Sequence, residues 1–319
     1  MGQKINPHIL RLGNQQKEWN SKYLEKNKEE SSLYIYNDLQ IQKYISRFFS
    51  VHGLKVHTCK IRYTSNNLDV NISYYCSNNF LKNIQTLSAE NSYKLLSKVN
   101  NYSDFKKTFF KVLTQEPKKR LKSIKIYKEL KEKTNFRTRH ELNLNNFSNK
   151  LISCLSKYTQ NKLNINIVLQ NLNKGLSLRL PNKQSQLFRK LTLRLRKFSN
   201  NNFFKETVNV VLISVRKKNS ARFLSDYIAN EISHLKRHNY YLNFLKELLS
   251  LFVLSQLSSV NGVKIVINGR FNGAPRSKKR IILVGNVPTQ SINSDIDYHK
   301  TTSYTQNGTF GVHVWIAEK

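Results

Sequence analysis

Cysteine, glycine, proline and acidic residues are all scarce in this 319-residue chain, and each shortage excludes something. The three cysteines, Cys59, Cys76 and Cys154, are odd in number, far apart and without a Cys-x-x-Cys spacing, which argues against a disulfide framework and against a zinc module. The glycines form no Gly-x-x-x-x-Gly-Lys phosphate loop and no nucleophile elbow, and no metal-ligand cluster appears. Catalysis therefore has no residues to rest on, and the chain is read as not an enzyme, with no cofactor and no metal. No run reaches the roughly 18 apolar residues that a bilayer span requires, so no membrane partner is expected. The opening Met1-Gly2-Gln3-Lys4-Ile5-Asn6 places Asn6 where a myristoylation signal requires Ser or Thr, and neither a signal peptide nor an Arg/Ser-rich transit segment is expected there.

What is present is positive charge. Lys and Arg number 54 against 19 Asp and Glu, a formal net charge of +35. An excess of this size is self-repulsive in a free globular protein and points to a polyanionic partner. The basic residues run through the whole chain rather than forming one juxtamembrane cluster, which favours nucleic acid over a membrane surface. Abundant Asn, Lys, Ile, Tyr and Phe beside scarce Ala, Gly and Pro match AT-rich codons, as in a protein made inside an organelle.

The pattern along the chain predicts two folded regions. The first thirty residues are polar and read as an extended arm (1–32). Leu39, Ile41, Tyr44, Ile45, Phe48 and Phe49 recur at helical spacing, with Asn37 or Asp38 as N-cap. Two alternating strands follow, His57–Tyr63 and Leu68–Tyr74, joined by a turn at Thr64-Ser65-Asn66-Asn67. Residues from about 77 to 175, rich in Asn, Lys and Ser, read as a basic insertion that takes its order from a partner. A basic helix is expected at Ser185–Phe198 and a buried strand at Val208–Val215. Two helices follow, Ala221–Leu235 and Tyr240 to about Leu257, and the tail from Gly262 reads as strand. Helix, strand, strand, insertion, helix, strand is the element order of an α+β prokaryotic-type (type II) KH domain, here spanning 33–218 and interrupted by the insertion. A smaller C-terminal α/β domain (219–319) with a mostly antiparallel sheet completes the expected architecture.

Two ends carry a recognisable signature. Gly2-Gln3-Lys4-Ile5-Asn6-Pro7, Arg11-Leu12-Gly13 and Trp19-Asn20-Ser21 open the chain. The tail holds Gly262-Val263-Lys264-Ile265, Asn268-Gly269-Arg270, Gly273-Ala274, Gly285 with Val287-Pro288, Asp295-Ile296-Asp297-Tyr298, Gly308 with Gly311-Val312, and Val314-Trp315-Ile316. In this order and spacing they resemble the family of small-subunit ribosomal protein three, over roughly 1–76 and 205–319. The resemblance implies a structural constituent of the small-subunit head that binds ribosomal RNA (rRNA) and lies where messenger RNA (mRNA) enters. It implies as neighbours the counterparts of bacterial small-subunit proteins ten, fourteen, four and five. The eroded loop and large insertion incline the reading toward a mitochondrion-encoded member in the matrix ribosome. The alternative is a free-standing organellar RNA-binding factor, an RNA chaperone or splicing cofactor; a nuclease would need a ligand cluster that is not found.

The candidate RNA-contacting residues are Lys4, Arg11, Lys118, Lys119, Arg120, Arg189, Lys190, Arg194, Arg196, Lys197, Arg216, Lys217, Lys236, Arg237, Lys246, Arg270, Arg276, Lys278, Lys279 and Arg280. Those beside the Gly273-Ala274-Pro275 turn suit phosphate contact best, because Arg forks bind two oxygens at once. The family's Gly-x-x-Gly loop, which lets a nucleic-acid backbone lie against a helix start, is expected before the Ser185 helix. Pro181, Asn182, Lys183 and Gln184 stand there instead, a degenerate loop that is not expected to grip a single strand. His234 and His238 have the i, i+4 spacing of a zinc pair but no third ligand, and Asp295 and Asp297 read as structural.

Overall fold

A computed structural model describes residues 5–13, 19–25, 27–64, 66–77, 136–172, 182–253, 255 and 258–319, with side chains in the 136–158 helix described from 147 onward. The chain divides into two compact units. One comprises Met1–Ile61, Asn71–Ser77 and Val168–Lys319; the other comprises Arg62–Val70 and Asn78–Ile167.

The elements, in chain order, are α1 (Pro7–Leu10), β1 (Ser21–Lys22), α2 (Glu30–Val51), β2 (Leu54–Tyr63), β3 (Asn67–Cys76), α3 (Phe136–Tyr158), β4 (Asn164–Asn171), α4 (Asn182–Arg194), α5 (Phe203–Arg216), α6 (Ala221–His234), α7 (His238–Val253) and the strands β5 (Val260–Gly269), β6 (Lys278–Gly285), β7 (Ile296–Thr305) and β8 (Gly308–Glu318). Among the described residues the strands form two four-stranded sheets, ordered β1-β2-β3-β4 and β6-β5-β8-β7.

In the first sheet, β2 and β3 form the expected hairpin, closed by the Thr64 N–H donating to Asn67 O at 2.9 Å; Ser65 lies outside the described residues. The strand β4 is parallel to β3: Asn164 N–H donates to Asn66 O and Leu172 N–H to Tyr74 O, eight residues further along both strands. A parallel pair requires a long crossover, and α3 lies in it. The smaller unit holds the hairpin tip, α3 and the start of β4. Leu68, Val70, Leu151 and Leu155 are buried there, and Asn166 Nδ2 donates to Asp69 Oδ1 at 2.9 Å.

Three expectations are corrected. Of the expected insertion at about 77–175, residues 136–172 contain a 23-residue helix and a strand, while 78–135 and 173–175 lie outside the described residues. Helix, strand, strand, helix, strand does occur, with its second helix at 136–158 and its last strand at 164–171. The stretch Val208–Val215 is helix, not strand. An apolar run buried on almost every side has no helical stripe, so its sequence reads equally as a buried strand. In α5 the hydroxyls of Thr207 and Ser214 donate to the carbonyls four residues back, at 2.7 and 2.9 Å, which lets them sit buried in the helix.

The helix α2 also begins earlier than expected, at Glu30. The hydroxyl of Ser32 donates to Glu29 O, and Glu30 puts negative charge in the first turn, where the helix dipole favours it. Asp38, expected as the cap, is buried mid-helix and accepts from Gln42 Nε2 at 2.9 Å. Ile41, Ile45 and Phe49 share its buried face, and Phe49 packs on Tyr74 of β3 with ring centroids 5.7 Å apart.

The larger core lies where α5, α6 and α7 meet the second sheet. That sheet is antiparallel throughout. Val263, Ile265, Ile267, Ile282, Val284, Phe310, Val312, Val314 and Ile316 point inward. Phe223 of α6 meets Tyr75 and His57 edge-on at 5.5 and 5.7 Å, tying the helical layer to β2 and β3. The inward side of β7 differs, being polar. Asp297 Oδ2 accepts from Ala221 N at 2.7 Å, His299 Nδ1 pairs with Ser225 Oγ at 2.8 Å, Thr301 Oγ1 donates to Ser225 O at 3.1 Å, and Ser303 Oγ donates to Ala229 O at 2.6 Å. Alternate strand residues thus follow successive turns of α6, matching a period of two to one of about 3.6.

The opening residues are not wholly an extended arm. Asn6 Oδ1 accepts from His8 N at 2.9 Å and Pro7 occupies the first turn of α1, which packs along β7. His8 Nε2 lies 2.9 Å from Tyr298 O and 3.4 Å from Asp297 Oδ1.

Candidate nucleic-acid interface

The β5–β6 connection is built around a packed aromatic pair. Phe271 and Phe310 meet at 5.3 Å, and the Phe310 ring lies directly over Gly269, where a Cβ would come within 2.2 Å of it. Asn272 and Gly273 both adopt left-handed backbone, at φ +55° and +75°, which turns the chain tightly. Arg270 Nε donates to Ala274 O at 2.8 Å and closes the turn. Arg276, Lys278, Lys279 and Arg280, like Arg270, are exposed.

A reciprocal clamp joins this turn to the start of α7. His238 N–H donates to Asn272 Oδ1 at 3.0 Å, and Asn272 N–H donates to His238 Nδ1 at 3.3 Å. The His238 ring also packs on Phe310 at 5.0 Å. The clamp brings exposed Lys236 and Arg237 to the same end of the molecule as the Arg270–Arg280 turn. It also settles the histidine pair: Leu235–Arg237 separates α6 from α7, so His234 and His238 do not share a helix face. Among the described residues, no group of three His, Cys, Asp or Glu side chains is placed to hold a metal.

A second basic surface lies on α4. Its partly buried Phe188 and Leu191 pack toward the core, with Phe188 5.9 Å from Phe252 of α7. Arg189, Lys190, Arg194, Arg196 and Lys197 are exposed. Lys197 is held by Glu247 at 2.8 Å, whereas Lys246 on α7 is exposed. Arg216 and Lys217, at the end of α5, are only partly exposed.

Arg11 is a correction. It is 1% exposed, and its guanidinium donates to the carbonyls of Pro7, Pro288, Thr289 and Ser291 at 2.8–3.3 Å. It plugs the loop before β7 and is closed to phosphate. The degenerate loop is also reassigned: Asn182–Gln184 open α4, beyond the last strand of the first sheet, and helix α5 rather than the expected strand comes after α4. Lys4, Lys118, Lys119, Arg120 and Pro181 lie outside the described residues. Sequence reasoning passed over Lys264 and Lys300, which point to the outer face of the second sheet. The two-residue alternation of Tyr298 with Lys300 and of His313 with Trp315 was the signal for that face.

The fold and this surface define a class: a strongly basic α+β protein with two four-stranded sheets and exposed Arg and Lys at one end of its C-terminal sheet. The family model for the ribosomal protein S3 C-terminal domain matches residues 244–316, from within α7 through most of β8. The small ribosomal subunit protein uS3 of Aquifex pyrophilus is 47% identical over 55 residues, 17% of this chain and 24% of that protein. The uS3c protein of Thalassiosira pseudonana is 30% identical over 126 residues, 40% and 55% of the two chains. The uS3 of Phytoplasma mali is 25% identical over 171 residues, 54% and 66%. The matches thus span from about a quarter to two thirds of these relatives' length. Over residues 244–316 the chain is thus similar to the ribosomal protein S3 C-terminal domain, and over part of its length to uS3 proteins.

Proposed function

We propose that this protein is a structural constituent of the small ribosomal subunit, where it binds rRNA and performs no catalysis. The observation that carries this reading is the coincidence of the family match over 244–316 with the clamped, exposed basic turn inside it. Clustered Arg and Lys side chains on a rigid turn neutralise phosphates and fix the register of a protein on RNA, and the net charge of +35 supplies the long-range attraction. In this reading the protein sits in the subunit head near the point where mRNA enters. Its neighbours are the counterparts of bacterial proteins ten, fourteen, four and five. The AT-biased composition supports a mitochondrial ribosome.

The same reading assigns α2, β2, β3, α3 and β4 to a KH-like half, since these elements follow one another in that order with β4 parallel to β3. Sedimentation of organelle lysate through sucrose gradients at moderate and high salt tests the proposal. Co-migration with small-subunit rRNA that survives high salt is the expected result. Release at moderate salt, or migration near the top, would instead identify a dissociable RNA-binding factor.

A further inference from the structure

The C-terminal sheet has one face packed on helices and one turned away from them. On the outward face, strand register places Leu283, Lys264, Trp315 and Tyr298 in one row and Ile281, Val266, His313 and Lys300 in the next. Lys279 begins a third row. Three rings there lie with planes within 36° of one another: His313 on Trp315 at 5.9 Å, Tyr298 on Trp315 at 5.0 Å, and Tyr298 on His313 at 6.2 Å. The Tyr298 hydroxyl is 2.8 Å from His313 Nδ1, which fixes two of the rings against each other. Lys264 Nζ lies 5.4 Å from the Trp315 ring centre.

The charge on this face has one sign. The outward positions of the four strands include Lys264, Lys279 and Lys300 and no Asp or Glu. Ile281 and Leu283 on the edge strand β6 are 55% and 56% exposed, leaving apolar surface beside the rings. A protein partner with an ordinary mixed surface would not require cations alone. Ring stacks flanked by lysines match unpaired nucleotides, whose bases present π-faces and whose phosphates are anionic.

We propose that the outer face of the β6-β5-β8-β7 sheet is a stacking platform for unpaired RNA nucleotides, with Trp315 and Tyr298 against bases and Lys264, Lys279 and Lys300 against the flanking phosphates. This deepens the rRNA-binding reading and rests on it. It assigns single-stranded RNA to a surface that adjoins the clamped basic turn and shares Lys279 with it.

The test uses the full chain carrying Trp19→Phe, which leaves Trp315 as the sole tryptophan. Its emission is followed while a 12-nucleotide single-stranded RNA or a 12-base-pair RNA duplex is added. Quenching by the single strand but not by the duplex is expected. Lys264→Gln with Lys300→Gln, which leaves the rings in place, and separately Tyr298→Ala, should weaken single-strand binding. Loss of one stacked base corresponds to about tenfold in affinity. Binding of both RNAs without quenching would overturn the platform while leaving the rRNA-binding reading intact. Binding of neither would overturn both. A blue shift of Trp315 emission on adding purified small-subunit ribosomal proteins, with no quenching by RNA, would make the face a protein-docking surface and also overturn the proposal.

Discussion

Asp297, on the inward face of β7, accepts a hydrogen bond at 2.7 Å from the backbone N–H of Ala221, the first residue of α6, 76 positions earlier in the chain. The local N-cap residue, Ser220, makes no side-chain capping bond and instead donates to Ser214 O. The helix is therefore capped from the sheet rather than from its own preceding turn. Glu318 of β8 acts beside it, accepting from Asn219 N at 2.9 Å. Two carboxylates from the sheet thus hold the tight α5–α6 turn, in which Asn219 has φ +54°.

Replacing Asp297 by Ala removes the cap and leaves Ala221 N–H buried without its acceptor. The expected loss is about 1–2 kcal/mol of stability, the usual range for a lost N-cap. Asp297→Asn retains an acceptor oxygen and should lose less. Urea unfolding followed by circular dichroism checks both; equal stability of the Ala variant and the parent would show that the cap contributes nothing.

A pH dependence follows from His57. Burial between β3 and Phe223 lowers its pKa from 6.5 to about 4, with Asp297 opposing the shift and Lys217 adding to it. The unfolded chain takes up a proton near pH 6.5, whereas the folded chain resists until about pH 4. Stability from this site is complete above pH 6.5, declines as pH falls toward 4, and is constant below. At pH 5 the loss is on the order of 2 kcal/mol. His299, also lowered to about 4 chiefly by burial, acts in the same direction. In His57→Gln the midpoint of urea unfolding should move less between pH 7.5 and pH 5 than in the parent.

The legible parts of the fold were those whose burial is one-sided. The strands of the C-terminal sheet alternate, as in Val263, Ile265 and Ile267 or Val312, Val314 and Ile316, and α6 and α7 carry apolar stripes; these elements fell close to where they were read. Illegible were the elements whose neighbours decide. The run Val208–Val215 is buried almost all round and has no period to betray its helix. The polar inward face of β7 matches a helix backbone rather than a hydrophobic layer, so Asp297, His299, Thr301 and Ser303 carry no apolar alternation by which an inward face could be read. Arg11 read as an RNA ligand because nothing local reveals that four carbonyls, three of them from a distant loop, surround it. The exposed arginines and lysines of the Arg270–Arg280 turn were legible because a glycine-rich hairpin tip has few other places to put them.

The packing of Phe310 over Gly269 is a steric lock. A Cβ at 269 would sit 2.2 Å from the Phe310 ring, so Gly269→Ala must displace that ring and, with it, Phe271 and His238. Overpacking of this kind costs about 1–3 kcal/mol. Phe310→Leu alone leaves a void, but in the Gly269→Ala background it should relieve part of the clash. Thermal melts of the two single variants and the double variant should therefore be non-additive, with the double variant more stable than the summed losses. Strict additivity would mean the two positions do not compete for space.

Buried and exposed arginines should respond differently to salt. Arg11 is enclosed by carbonyls, whereas Arg276, Lys278, Lys279 and Arg280 line the turn held by the His238–Asn272 clamp. If those four neutralise phosphates, changing them to Gln removes counterion release on binding. The slope of log Kobs against log salt for rRNA fragments should become shallower by about 0.7–0.9 for each phosphate no longer neutralised. Arg11→Gln should lower the melting temperature, because the carbonyls around it lose their donors, yet leave the salt slope unchanged. A slope that responds to Arg11 as strongly as to the turn residues would mean that the Arg11 loop opens on RNA. An unchanged slope in the fourfold variant would move phosphate binding to the Arg189–Lys197 surface of α4, where the same measurement on Arg189→Gln and Arg194→Gln would then locate it.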